Sequence, residues 1–173
     1  MRAEVVEFLR GVSAFAGIGE EGLRRLASIC EEVEFPAGAV IIHEGEEGDC
    51  VYLIREGEVE ISVTISLKLL PGQVGDREKS LVRLHSGALF GEMAFIFDTD
   101  QRTATAIANT PAKLLRIHSA EFKKFAESDY QSAYLLIRNI AQTIAKRLRK
   151  TNQDVIKLTT VLSVALSKAA PKG

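Results

Sequence analysis

From Val59 to Ile65 the chain alternates strictly, with Val59, Ile61, Val63 and Ile65 apolar against Glu60, Ser62 and Thr64. A period of two suits an extended strand with one buried and one wet face, because a helical period would scatter the same side chains around an axis. Such a strand is not stable alone, so this stretch commits the chain to a sheet whose apolar face is covered. Short apolar runs recur at Val40–Ile42, Cys50–Ile54, Leu81–Leu84 and Leu89–Phe90, and again over 103–108 and 113–117. Turn signals separate them: Pro36-Ala37-Gly38, Gly45 to Asp49, Glu56-Gly57, Ser86-Gly87 and Asn109-Thr110-Pro111. Strands this short, with a turn about every 8–12 residues, favour an antiparallel sandwich or roll over a parallel sheet. Glu56-Gly57 reads as a tight hairpin connection, and Asn109-Thr110-Pro111 as the link that pairs 103–108 with 113–117. Residues 66–80, with Pro71-Gly72 and Gly75-Asp76, read as a surface excursion or a long hairpin.

Both ends carry helical periodicity instead. Residues 2–10 and Glu20 to Cys30 place apolar side chains at three- and four-residue spacing, broken by Gly17-Ile18-Gly19. Ser119 is expected to cap a short helix through Phe122 and Phe125. A long helix follows from about Ser132 to Lys168, roughly 55 Å at 1.5 Å per residue. Its apolar positions Ile137, Ala141, Ile144, Leu148, Val155, Leu158, Leu162 and Ala165 keep a heptad spacing that one polar residue, Thr151, interrupts. A seam of this kind predicts a homodimer through Ile137, Ile144, Leu148, Thr151, Val155, Leu158 and Leu162. The expected class is α+β, mainly β: an antiparallel roll of about eight strands with short N-terminal helices. The expected division is a roll over 1–130 and a dimerisation helix over 131–173.

A chain of 173 residues is one domain by size. No apolar run reaches the ~18–20 residues needed to span a bilayer. Glu4, Glu7 and Arg10 interrupt any secretory core at the start, so a cytoplasmic chain without membrane contact is expected. Cys30 and Cys50 read as buried free thiols. The net charge of −1 hides −10 over residues 1–100 and +9 over 101–173. This split reads as poles that attract within or between subunits, more than as a nucleic-acid surface.

Phe90 to Thr105 carries the chemistry. Gly91 and Glu92 open a short helix whose first amides, through Met93 and Ala94, lack partners within the helix and favour an anion. Arg102 adds a permanent planar fork for two oxygens of one anion, beside Thr103 and Ala104. A carboxylate at Glu92 would repel that anion unless it faces a hydroxyl of the same ligand. The ligand so described bears both an anionic group and hydroxyls.

The Phe90-Gly91-Glu92 opening, an apolar stretch and Arg102-Thr103 resemble the phosphate-binding cassette of the cyclic nucleotide-binding domain family. The resemblance implies a β-roll with flanking helices and a cyclic nucleotide as ligand. It also implies that the amides of Gly91 to Ala94, Arg102 and Thr103 hold the cyclic phosphate, while Glu92 accepts the ribose 2′-hydroxyl. Residues 144–155 resemble the long helix of the catabolite-activator members. Carried over, Thr151 contacts the base in its own subunit and Asn152 reaches it from the partner. That favours cyclic AMP (cAMP), while Thr103 also suits cyclic GMP, whose guanine amino group its hydroxyl can meet. Gln101 stands where many members have Pro.

The sequence ends soon after the seam, so a stand-alone sensor is expected, without a DNA-reading module and with an unnamed protein downstream. The alternatives are a degenerate roll serving as an interaction scaffold, and a truncated transcription regulator. His43, His85 and His118 stand apart on different predicted strands, so a metal-dependent cupin chemistry is not expected, nor is a metal or cofactor. No nucleophile–histidine arrangement or carboxylate pair has a supporting context, so catalysis is not expected.

Overall fold

A computed structural model describes residues 2–70, 73–97 and 101–169 of the chain. Eight strands form two four-stranded antiparallel sheets. One sheet has the order β1-β8-β3-β6, built from Glu31–Phe35, Ala112–His118, Cys50–Glu56 and Leu89–Phe90. The other has the order β2-β7-β4-β5, from Val40–Ile42, Thr105–Ala108, Val59–Leu70 and Gln73–Leu84. The helices are α1 (Arg2–Gly11), α2 (Glu20–Ile29), α3 (Glu92–Phe97), α4 (Ser119–Ser128) and α5 (Tyr130–Ala169). A single 3-10 turn spans Ser13–Phe15. Ile42, Ile54, Val59, Phe90, Ala106 and Leu114 meet between the sheets. A second core joins the outer side of the first sheet to the helices, through Leu9, Phe15, Leu26, Leu53, Leu115, Leu136 and Ile140.

Two expected pairings are corrected. Glu56-Gly57 is no hairpin turn, because β3 lies in one sheet and β4 in the other. The chain crosses between sheets there, with Gly57 at φ +93° against the backbone of Pro111 and Ala112. Strands β7 and β8 likewise do not pair, since Asn109 to Pro111 carries the chain across the same gap. Sequence adjacency suggested hairpins, but closing a roll requires strands that change sheet.

The polar side of the alternation from Val59 is not uniformly wet. β4 keeps an unbroken register with β7 from Val59 to Ser62, and the bulge in its pairing with β5 falls at Leu81 of β5, yet Ser62 is 1 % exposed. The segment 66–80 takes the second of its two expected forms, because β4 and β5 pair as one long hairpin. Pro71 and Gly72 lie outside the described residues. Ser119 is not the cap of α4 but its first residue, with His118 at the cap position and the Ser119 hydroxyl donating to the Phe95 carbonyl at 3.4 Å.

Helix α5 begins where Asp129 breaks α4 and caps the new helix, its carboxylate accepting the Ser132 N–H at 3.1 Å. Its first third is fixed to the body of the fold. Ala133, Leu136 and Ile140 are buried, and Asn139 donates to the carbonyls of Ala14 and Ala16 at 3.0 Å each. Gly22 of α2 lets the helices approach closely, since a Cβ there would lie 2.2 Å from the Ser132 hydroxyl. This anchorage aims the middle of α5 across the open edge of the roll.

Candidate functional site

Arg102 is placed by the loop from His43 to Asp49. Its N–H donates to the Glu46 carbonyl and its carbonyl accepts from Gly45 N–H, both at 2.8 Å. Glu47 forms an isolated bridge with Gln101. The side chain then runs inward between two glycines. A Cβ on Gly48 would stand 2.0 Å from Nε, and one on Gly91 would stand 2.7 Å from Nη1. Gly91 also needs its φ of +75°, which turns the chain from β6 into α3. Gly48 is therefore a packing glycine, a role that its loop context concealed.

Arg102 is 6 % exposed. It donates through Nη1 to the carbonyls of Cys50 at 2.9 Å and Gly91 at 3.0 Å, and through Nη2 to Cys50 Sγ at 3.2 Å. Nε has no partner. No carboxylate among the described residues forms an ion pair with it. Arginine cannot shed its proton, and a buried charge without a counter-ion costs several kcal/mol. An anion entering from the cleft would relieve that cost.

Ten residues before Arg102, Glu92 opens α3 and is buried as well. Its carboxylate accepts from Arg147 Nη1 at 2.6 Å, while Arg147 Nη2 donates to the Leu89 carbonyl at 2.7 Å. Arg147 belongs to α5, so this pair fastens the long helix to the cassette. In the sequence Arg147 stands in a basic run with Lys146, Arg149 and Lys150, which does not single it out. The available signal was its place one helical turn before Thr151.

A cleft of about 340 Å³ opens between the second sheet, α3 and α5. Gly91, Glu92, Met93, Ala94, Arg102, Thr103, Ala104 and Thr151 all line it, so eight of the nine expected residues share one cavity. Asn152 is exposed and lies outside the lining. Thr103 Oγ1 rests 3.7 Å from Met93 Sδ, and Thr151 Oγ1 donates to the Arg147 carbonyl at 3.1 Å. Residues 98–100 of the cassette lie outside the described residues. Apolar walls come from Ile42, Ile61 and Phe90, and from Leu81 and Val82 of β5, which sequence reading had not linked to the site. The cleft offers a buried cation at one end, a carboxylate beside it, and apolar surface beyond. That combination suits a small molecule with an anionic group, a hydroxyl and a flat apolar part.

Beyond Leu148 the seam of α5 is bare. Ile137 and Ile144 pack against the chain's own core, whereas Leu148, Val155, Leu158 and Leu162 are 54–65 % exposed. Among the described residues no helix is long and apolar enough to cross a membrane.

Comparison with known proteins gives these features a context. The cGMP-dependent protein kinase egl-4 of Caenorhabditis briggsae is 30% identical over 124 residues, which is 70% of this chain and 15% of that protein. The cyclic AMP receptor protein of Thermus thermophilus is 26% identical over 147 residues, covering 85% of this chain and 62% of the relative. The chain thus spans less than two thirds of the length of either relative. Among solved structures, the N-terminal domain of a transcriptional regulator from Streptomyces coelicolor superposes with a TM-score of 0.65 at 32% identity. That match covers 86% of this chain and 94% of the other. The family model for the cyclic nucleotide-binding domain matches residues 32–129, which run from the first strand of the roll through the cassette to the end of α4. With two antiparallel sheets, a Gly91–Glu92 turn into a short helix and a buried arginine behind it, this chain belongs to the cyclic nucleotide-binding domain family.

Proposed function

We propose that the chain is a cyclic nucleotide sensor that prefers cyclic AMP to cyclic GMP and passes occupancy to a helix-mediated homodimer or a partner protein. The observation that carries this reading is the Arg102 guanidinium, buried between Gly48 and Gly91 at the end of the cleft without a counter-ion among the described residues. A cyclic phosphate supplies the missing charge, held by Arg102, the first amides of α3 and the Thr103 hydroxyl. Glu92 stands beside that end and takes the ribose 2′-hydroxyl. The base extends over the apolar wall toward Thr151, with Asn152 supplied by the partner's helix. The role is binding without turnover.

Coupling follows from the Glu92–Arg147 pair. A ribose hydroxyl at Glu92 competes with Arg147 for the same carboxylate, and Arg147 shares a helix with Thr151 and with the exposed seam. A ligand that binds one position of α5 better than another shifts the helix and whatever it pairs with. Isothermal calorimetry with cyclic AMP and cyclic GMP tests this on the wild type, Arg102→Ala and Glu92→Ala. Losing charge-assisted hydrogen bonds should weaken binding on the order of 100-fold for Arg102→Ala. Unchanged affinity in that variant, or no binding by the wild type, would overturn the reading and leave a scaffold role for the roll.

A further inference from the structure

We propose that Asp49, Cys50 and His118 form a binding site for a borderline-soft divalent cation of the Zn²⁺ class, at the end of β3 and β8 behind Arg102. Cys50 and His118 are directly opposite in the antiparallel β3–β8 register, which puts their side chains on the same face of the sheet. Asp49 immediately precedes Cys50, and its carbonyl accepts the Ser119 N–H at 2.7 Å, fixing the backbone beside both strands. One carboxylate oxygen, the thiol sulfur and one imidazole nitrogen lie within 4.8 Å of one another. Donors held at about 2.0–2.3 Å by one tetrahedral ion sit roughly 3.3–3.7 Å apart, so a contraction of about 1 Å closes the set. This is the one such group of three among the described residues.

The donor chemistry selects the ion. Thiolate, imidazole and a single carboxylate suit Zn²⁺ or its Co²⁺ surrogate, whereas Ca²⁺ and Mg²⁺ need more oxygens. Coordination sends the thiol proton to solvent and leaves a fourth position for water. The surroundings complete the site. His118 Nδ1 is 3.2 Å from Asp49 Oδ2, and its other nitrogen is 3.7 Å from Glu31 Oε2, which Arg116 Nη2 holds at 2.7 Å. A carboxylate behind a ligating imidazole orients the ring and raises its basicity. Arg102 Nη2 already donates to Cys50 Sγ and would support the thiolate as an outer hydrogen bond. Asp49 is exposed and His118 half-buried, so the ion enters from solvent without crossing the nucleotide cleft, which neither residue lines.

The test uses the whole chain without nucleotide, with ZnCl₂ in calorimetry and Co²⁺ in absorption spectroscopy. One ion per chain is expected, with a thiolate-to-cobalt charge-transfer band in the near ultraviolet. Cys30→Ser should keep the band, Cys50→Ser should lose it, and Asp49→Asn should bind at least tenfold more weakly. Asp49 is exposed, so that variant remains informative if Cys50→Ser does not fold. Absence of the band in the wild type, its persistence in Cys50→Ser, or wild-type affinity in a folded Asp49→Asn would each overturn the site.

Discussion

Gly48 shows how much can depend on a missing side chain. It lets Arg102 lie flat beneath the loop, and a methyl group at this position would overlap Nε, Cζ and Cδ together. Gly48→Ala must therefore evict the guanidinium from its carbonyl acceptors. We expect a loss of about 1–3 kcal/mol in urea unfolding, as for other overpacked sites, and weaker cyclic nucleotide binding in calorimetry. Gly45→Ala would separate the two effects, because it has open space around it and would suffer only the strain of its φ of +84°. Glu92 behaves differently because its partner lies on a distant helix. In Arg147→Ala the buried carboxylate loses its donor, which should cost about 1–3 kcal/mol while leaving Arg102 in place. Thermal-shift measurements with and without cyclic AMP would show the stability loss and a smaller obstacle to a ligand hydroxyl at Glu92.

Helix α5 changes character along its length. Ile140 is 2 % exposed within the helical core, and Ile140→Ala should cost about 2–5 kcal/mol in urea unfolding of the isolated subunit. Leu158 is 65 % exposed and contributes nothing to the subunit's own core. Leu158→Asp should leave the roll folded, by circular dichroism and by binding stoichiometry, while sedimentation velocity shifts from dimer to monomer. A dimer that persists would remove the seam from the proposed mechanism. A perfect alternation in sequence does not decide exposure, since Ser62, on the polar side of the β4 pattern, is 1 % exposed while β4 keeps its register with β7.

Across the whole molecule, acidic strands are tied to basic partners far along the chain. Glu31 of β1 is held below the usual carboxylate value of 4.5, chiefly by hydrogen bonds from Arg116 of β8. Glu60 of β4 is lowered too, first by Asn109 and then by Arg83. A depressed folded-state value means that the stabilisation is complete above the unfolded value and is lost as pH falls through the folded one. Acid unfolding should therefore begin near pH 4.5 and steepen below it, and Glu31→Gln should flatten that part of the stability curve. The thiol of Cys30, which burial pushes up to about 12, should stay unmodified by alkylating reagents at neutral pH. Much of this molecule was legible in order. Period-two strands, turn glycines, the Phe90 to Thr105 cassette and the heptads of α5 are local patterns, so sequence alone determined a roll with a long helix and most of one cavity wall. What needed the tertiary structure was whatever depends on residues far apart in sequence meeting. Which strands change sheet, that Gly48 makes room for Arg102, that Arg147 claims Glu92, and that His118 faces Cys50 are consequences of closing two sheets on each other. Register and crossing angles are set by the whole core at once, and no short window of residues encodes them.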